Sequence, residues 1–110
     1  MIRRKRRKTR GYSREYVDTA SGVAWYDREQ WQHLRRVAQD PEVLEDSYDE
    51  WVAMAENAIR ELEASGMIIE RVPVNTTDLV AWCSEQDRPI DSSARAEFAA
   101  REFRRLHLSE

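Results

Sequence analysis

The apolar positions of this chain recur with helical spacing in two segments near its centre. Within residues 31–38, and again within 48–62, apolar side chains return every three or four positions, so they share the face of a helix that packs on a core. The residues between them are mostly charged or polar, which suits the solvent side of the same helices. The pattern therefore predicts helices over about 28–38 and 48–64.

Polar residues and a glycine predict where these helices begin and end. Asp27 is followed three residues later by Gln30, and Ser47 by Glu50, which is the spacing of a capping box at a helix N-terminus. Gly66 stands just beyond the second helix, where the backbone often turns into the left-handed conformation. These local signals agree with the apolar pattern over 48–64, whose interior has no Gly or Pro.

The segment 67–74 has the composition of a strand, because it is short, apolar and rich in β-branched residues. Pro73 places it at a sheet edge or at a strand end, since proline has no N–H to donate to a ladder. Asn75 then caps a further helix, which we predict over about 76–86.

The last part of the chain predicts one more helix, capped by Asp91 or Ser92, and the segment 23–26 predicts a short strand. The predicted fold is α+β, mostly α, with about four helices and one or two short β-strands in the order β-α-α-β-α-α. A lone strand leaves its backbone groups unpaired, so 67–74 needs a partner. Two partners fit the sequence, namely 23–26 of the same chain and the same segment of a second copy in a homodimer.

Length and composition favour a single compact helical α+β domain over 15–110. At 110 residues with 41% apolar side chains, the chain has the material for one core. Its apolar runs are far shorter than the roughly 20 residues that cross a bilayer, so we expect no membrane association. The single cysteine, Cys83, excludes an internal disulfide and fits a soluble cytoplasmic protein.

Residues 1–14, which we call the basic arm, differ in charge from the rest of the chain. They hold eight cations and no acid, a formal charge of +8, whereas residues 15–110 carry ten Arg against 21 acids, or −11. The cations are Arg3, Arg4, Lys5, Arg6, Arg7, Lys8, Arg10 and Arg14. We expect the arm to be disordered and to contact nucleic-acid phosphates or an acidic protein surface, including the protein's own. A solvated tail without a partner, or a start upstream of the true first residue, explains the same composition.

The body holds a concentration of the opposite charge. Between residues 40 and 63 lie nine acids and a single cation, Arg60. Within this region Glu45, Asp46, Asp49 and Glu50 are predicted to form an acidic surface for a partner. A solvated helix face with acids near a helix N-terminus has the same composition. The four acids lack the spacing and the glycine turn of an EF-hand, so we expect no metal there.

The sequence offers no constellation for catalysis. His33 and His107 lie far apart, no serine stands in a nucleophile elbow, and the three glycines are too dispersed for a phosphate-binding loop. We therefore expect no catalytic residues, no cofactor and no small-molecule substrate. The sequence favours a small non-enzymatic accessory protein that binds another protein or itself. The alternative is a nucleic-acid-binding regulator that uses the basic arm.

Overall fold

The computed structural model describes residue 16 and residues 19–108, and in this part of the chain the predicted α+β fold, mostly α, is confirmed. Its elements, in the predicted order, are β1 (Ala20–Trp25), α1 (Arg28–Val37), a short 3₁₀ turn (Pro41–Val43), α2 (Tyr48–Ala64), β2 (Ile68–Pro73), α3 (Thr76–Glu85) and α4 (Ser92–Leu108). The basic arm lies outside the described residues, so its separation from a compact domain over 15–110 stays a prediction.

Side-chain caps begin α1 and α2 at the predicted residues. Asp27 Oδ1 accepts a hydrogen bond from the Gln30 N–H (2.8 Å), and Ser47 Oγ accepts one from the Glu50 N–H (3.1 Å). The Gln30 side chain does not return to Asp27, because its Oε1 accepts the N–H of Thr76 instead. The start of α1 is thereby joined to the start of α3.

The remaining two helices also begin at polar caps. Asn75 Oδ1 accepts the Asp78 N–H (3.0 Å) at the start of α3, as predicted. At α4 the cap is Asp91, whose Oδ1 accepts the Ala94 N–H (2.9 Å). Of the two caps that the sequence allowed for the last helix, Asp91 is therefore the one that is used.

A glycine in the left-handed region ends α2 and turns the chain toward β2. Gly66 has φ of +101°, and its N–H donates to the Glu63 carbonyl (3.0 Å). The next N–H, that of Met67, reaches back to the Leu62 carbonyl (3.1 Å). These two bonds form a Schellman motif, which satisfies carbonyls that the helix leaves without donors.

The two strands pair in parallel within one chain. Their register runs from Ala20 opposite Ile68 to Trp25 opposite Pro73. The helices α1 and α2 form the crossover connection that a parallel pair requires. Of the two predicted partners for the 67–74 segment, the structure has the one in the same chain.

β1 begins three residues before the predicted start at residue 23. Ala20, Ser21 and Gly22 are weak strand formers, so local propensity does not predict them as a strand. A close approach of α4 explains why Gly22 fits there. An added Cβ would lie 2.8 Å from Phe103 Cβ and 2.8 Å from Val72 Cγ2, and only glycine leaves room for both.

The sheet lies between α4 and α2. Side chains alternate along a strand, so Gly22 and Trp25 belong to opposite faces. Phe103 of α4 covers the Gly22 face, whereas the Trp25 ring packs on Trp51 of α2 with ring centroids 4.9 Å apart. The main core buries Tyr26, Trp31, Leu34, Ala38, Trp51, Val74, Leu79, Cys83, Ala94 and Phe98.

Candidate functional site

An open groove of about 520 Å³ lies between α2 and α4, with β1 along its floor. Residues 22–26 all line it, and the walls include Met54 and Leu62 from α2, Ala96 and Ala99 from α4. Because neighbouring residues of a strand point to opposite faces, a run of consecutive lining residues means that the groove follows the edge of β1. The groove is therefore a continuation of the sheet plane beyond its first strand.

Exposed apolar side chains concentrate at this groove. Val43 is 57% exposed, Met54 45% and Leu62 37%, and all three line it. Two further exposed apolar residues, Met67 and Ile68, follow just beyond the C-terminal end of α2. These five are the large hydrophobic side chains that are exposed in the described part of the chain. Contiguous exposure of this kind marks interaction surfaces more often than single exposed residues do.

The backbone of β1 has one paired edge and one unpaired edge. The Val74 N–H donates to the Trp25 carbonyl (3.0 Å). In a parallel ladder one residue directs both backbone groups toward the partner strand and the next residue directs both away. Val23 and Trp25 therefore face β2, whereas Gly22 and Ala24 direct N–H and C=O toward the groove. No described residue forms a hydrogen bond with these outward groups.

A carboxylate oxygen without a partner lies in the groove wall. Glu45 lines the groove, and its Oε1 is buried without a hydrogen bond from any described residue. Arg95 also lines the groove, but its guanidinium donates to Asp40 Oδ1 at 2.7 Å, and both side chains are largely buried. This hydrogen bond holds the pKa of the Asp40 carboxyl below its usual value. Glu45 is thus open to a donor from outside.

The four acids of the predicted acidic surface have different surroundings. Glu45 is partly buried in the groove wall, whereas the other three are exposed. Asp49 pairs with Arg28 at 3.0 Å, and the backbone N–H of Glu50 is used by the cap of α2. The backbone carbonyl of Asp46 accepts a hydrogen bond from an arginine of α1. Their role as a partner surface stays a prediction, and Glu45 is the member that belongs to the groove.

The eight cations of the basic arm lie outside the described residues, and Tyr16 is the described residue nearest to them in sequence. Its hydroxyl donates to Glu70 Oε1 (2.8 Å), and its ring lies 6.2 Å from that of Phe103. Glu70 Oε2 also bonds to His107 Nε2 (2.7 Å), whose side chain is buried. The sequence placed His107 near a fraying terminus. The structure instead holds it against β2, through a carboxylate that is distant in sequence.

His33 takes part in a buried polar link between α1 and α3. Gln30 Oε1 accepts both the N–H and the hydroxyl of Thr76, each at 2.7 Å. The single hydroxyl proton is therefore used, so the hydrogen bond between Thr76 Oγ1 and His33 Nδ1 has the imidazole as its donor. The surface hydrogen bond to Glu29 that the sequence allows is replaced by this structural contact.

Cys83 is a packing residue of the main core. It is buried, and this burial raises the pKa of its thiol, which keeps the sulfur protonated and a poor nucleophile. Tyr26 is buried as well, and burial raises the pKa of its phenol to about 12. Neither group is activated for chemistry at neutral pH.

Sequence reasoning missed the groove, although one signal pointed toward it. The apolar stripe of α2 is wide, and it was assigned as a whole to an inward face. Met54 and Leu62 in that stripe are exposed. A stripe wider than one packing partner needs is a signal that part of it faces something else.

No group of three or more His, Cys, Asp or Glu side chains in the described residues is arranged to hold a metal ion. None of the helices described here has the length and apolar character needed to cross a membrane. Comparisons with protein-family models, with curated proteins and with solved structures find no match for this chain. The geometry of the groove is therefore the basis on which a function is proposed.

Proposed function

We propose that this protein is a small, non-enzymatic cytoplasmic binding protein that holds a segment of another protein in the groove between α2 and α4. One observation carries the proposal, namely that exposed apolar side chains concentrate at this groove. Val43, Met54 and Leu62 lose contact with water when an apolar segment covers them, which favours association.

Charge complementarity indicates the chemistry of the bound segment. Nine acids and only Arg60 as a cation lie within residues 40–63, which include α2 and the connector before it. Leaving a buried oxygen without a hydrogen-bond donor costs about 1–3 kcal/mol, and Glu45 Oε1 is such an atom. A Lys or Arg of the bound segment would supply that donor and would meet the surrounding acids. We therefore propose a segment with apolar side chains and at least one basic side chain.

Selection of random short peptides displayed on phage, against the full chain, tests this proposal. We expect the enriched peptides to combine large apolar residues with Lys or Arg. Synthetic versions should bind about tenfold more weakly to Met54→Glu, which places a charge in the apolar groove. Met67→Glu is the matched control, since Met67 is exposed to a similar extent but does not line the groove. Enrichment of acidic peptides, or equal binding to both variants, contradicts the proposal.

A second candidate function is nucleic-acid binding through the basic arm. Tyr16 is held by Glu70 beside the C-terminal turns of α4, and these turns carry Arg101, Arg104 and Arg105. The arm is therefore joined to the body next to further cations, which favours contact with phosphates. Binding of single-stranded RNA should weaken steeply with salt and disappear when the arm is removed. Unchanged binding without the arm would rule this function out.

A further inference from the structure

We infer that the segment bound in the groove is extended and adds to the outer edge of β1 as a third strand of the sheet. This inference rests on the proposed function, since it concerns how the groove holds its occupant. The occupant to which we commit is one extended segment of another protein, with apolar and basic side chains.

Gly22 and Ala24 supply the hydrogen-bonding groups for such a strand. Their N–H and C=O groups point away from β2, and they have no partner among residues 19–108. Both residues are only partly buried, so their backbone is accessible. They are alternate residues of β1, as the ladder of an added strand requires. An accessible, unpaired strand edge is a template for a further strand.

Small side chains leave room for the added strand. Gly22 and Ala24 line the floor of the groove, and α4 lines one wall with Ala96 and Ala99. A paired strand lies about 4.8 Å from its neighbour, so bulky side chains at these positions would block its approach. The α2 wall instead presents Met54 and other large apolar side chains. Successive side chains of the segment would point alternately to the two walls, with the larger apolar ones toward α2.

The recessed position of the edge favours a single segment over a second copy of this chain. The helices α2 and α4 form walls on both sides of the β1 edge. In a second copy the same edge is flanked by its own two helices. The helices of the two copies would collide before the strands came within the roughly 4.8 Å of a ladder. An extended segment without flanking helices meets no such barrier.

Backbone methylation of a peptide tests the strand pairing directly. The probe is a synthetic peptide of alternating valine and lysine residues, titrated into the isotope-labelled full chain and followed by NMR. Two methylated versions, each with every second amide nitrogen blocked, differ only in which edge of the peptide loses its donors. We expect one version to bind about tenfold more weakly and the other to bind like the parent peptide. The amides of Gly22 and Ala24 should gain protection from hydrogen exchange when the peptide binds.

Ala24→Pro removes an outward donor from the protein itself. β2 already carries Pro73 at a position whose backbone points away from β1, so proline is compatible with an outer edge. We expect this variant to keep the circular-dichroism spectrum of the parent and to bind the peptide about threefold to tenfold more weakly. Ala24→Val is the matched control, since it adds a side chain of similar size and keeps the N–H.

The outcomes separate the strand pairing from the groove. Equal binding of both methylated peptides, or unchanged exchange at Gly22 and Ala24, overturns the strand pairing. In that case weaker binding to Met54→Glu would leave the groove itself as the binding site, whereas unchanged binding to that variant would overturn the groove as well. Failure of the unmethylated peptide to bind at millimolar concentration overturns the chosen occupant. A dimer that Met54→Glu dissociates, or peptide binding that appears only when the basic arm is removed, overturns it too.

Discussion

Replacing Gly22 with alanine tests how closely α4 packs on the sheet. The new Cβ would lie 2.8 Å from both Phe103 Cβ and Val72 Cγ2, inside the usual carbon–carbon contact distance of about 3.5–4.0 Å. Phe103 and Val72 are both buried, so neither side chain can turn into solvent to relieve the contact. Either α4 must move away from β1 or the two strands must shift.

The magnitude follows from two opposing effects. Adding a methyl group to a filled core costs about 1–3 kcal/mol. Alanine also restricts the unfolded chain more than glycine does, which returns about 0.4–1 kcal/mol. We therefore expect Gly22→Ala to lower the free energy of unfolding by about 1–2 kcal/mol and the Tm by about 4–16 °C.

Thermal and urea denaturation of the parent and the variant measure this loss. Val72→Ala removes the Cγ2 atom that the new Cβ meets, so it should destabilise the Gly22→Ala protein less than it destabilises the parent. Gly66→Ala is a second control, since no atom lies within 4 Å of its added Cβ and its cost comes from the positive φ alone. A Tm of Gly22→Ala equal to that of the parent, or additive losses in the double variant, would refute the close approach.

Trp51→Ala should cost about 3–5 kcal/mol because Trp51 is buried in the main core. Trp82→Ala should cost clearly less, since Trp82 is only partly buried, and urea denaturation of both variants checks this order. The Arg95 hydrogen bond lowers the pKa of folded Asp40, so its stabilisation is complete above the unfolded pKa and is lost as the pH falls through the folded one. Asp40→Asn should therefore be less stable than the parent at neutral pH and approach it in acid, as denaturation across this pH range would measure; a constant difference contradicts the assignment. Thr76→Val should cost about 1–3 kcal/mol, because it removes the hydroxyl from a buried polar link, and a melt identical to that of the parent would show the link to be unimportant.

The helices could be predicted because their signals are local. α2 begins and ends at the predicted residues, since Ser47 caps one end and Gly66 adopts the left-handed conformation at the other. Both signals act within a few residues of the helix and need no tertiary partner. For the same reason α1 and α3 differ from their predicted bounds by only one residue, at their C-terminal ends.

The first half of β1 could not be predicted, because its stability is not local. Ala20, Ser21 and Gly22 form a strand through pairing with β2, which lies more than forty residues later in the chain. The packing of Phe103 on Gly22 comes from still farther along the sequence. Propensity favours other conformations for these small residues, and tertiary contacts override it.

The groove could not be predicted because it depends on a distance between elements. Met54 and Leu62 share one apolar stripe with the buried residues Trp51 and Ile59. Periodicity assigns all four to the same side of α2, and only the spacing between α2 and α4 decides which of them are covered. The outer edge of β1 depends in the same way on the side from which β2 pairs.

Pro73 also limits how far this small sheet can extend. Its backbone points to the outer side of β2, where it offers no N–H to an approaching chain. On the opposite side the β1 edge lies between two helices, which exclude anything broader than a single strand. Growth of the sheet is therefore hindered in one direction and restricted to one narrow guest in the other. Two short strands that would otherwise invite fibre-like stacking of many copies are in this way protected from it.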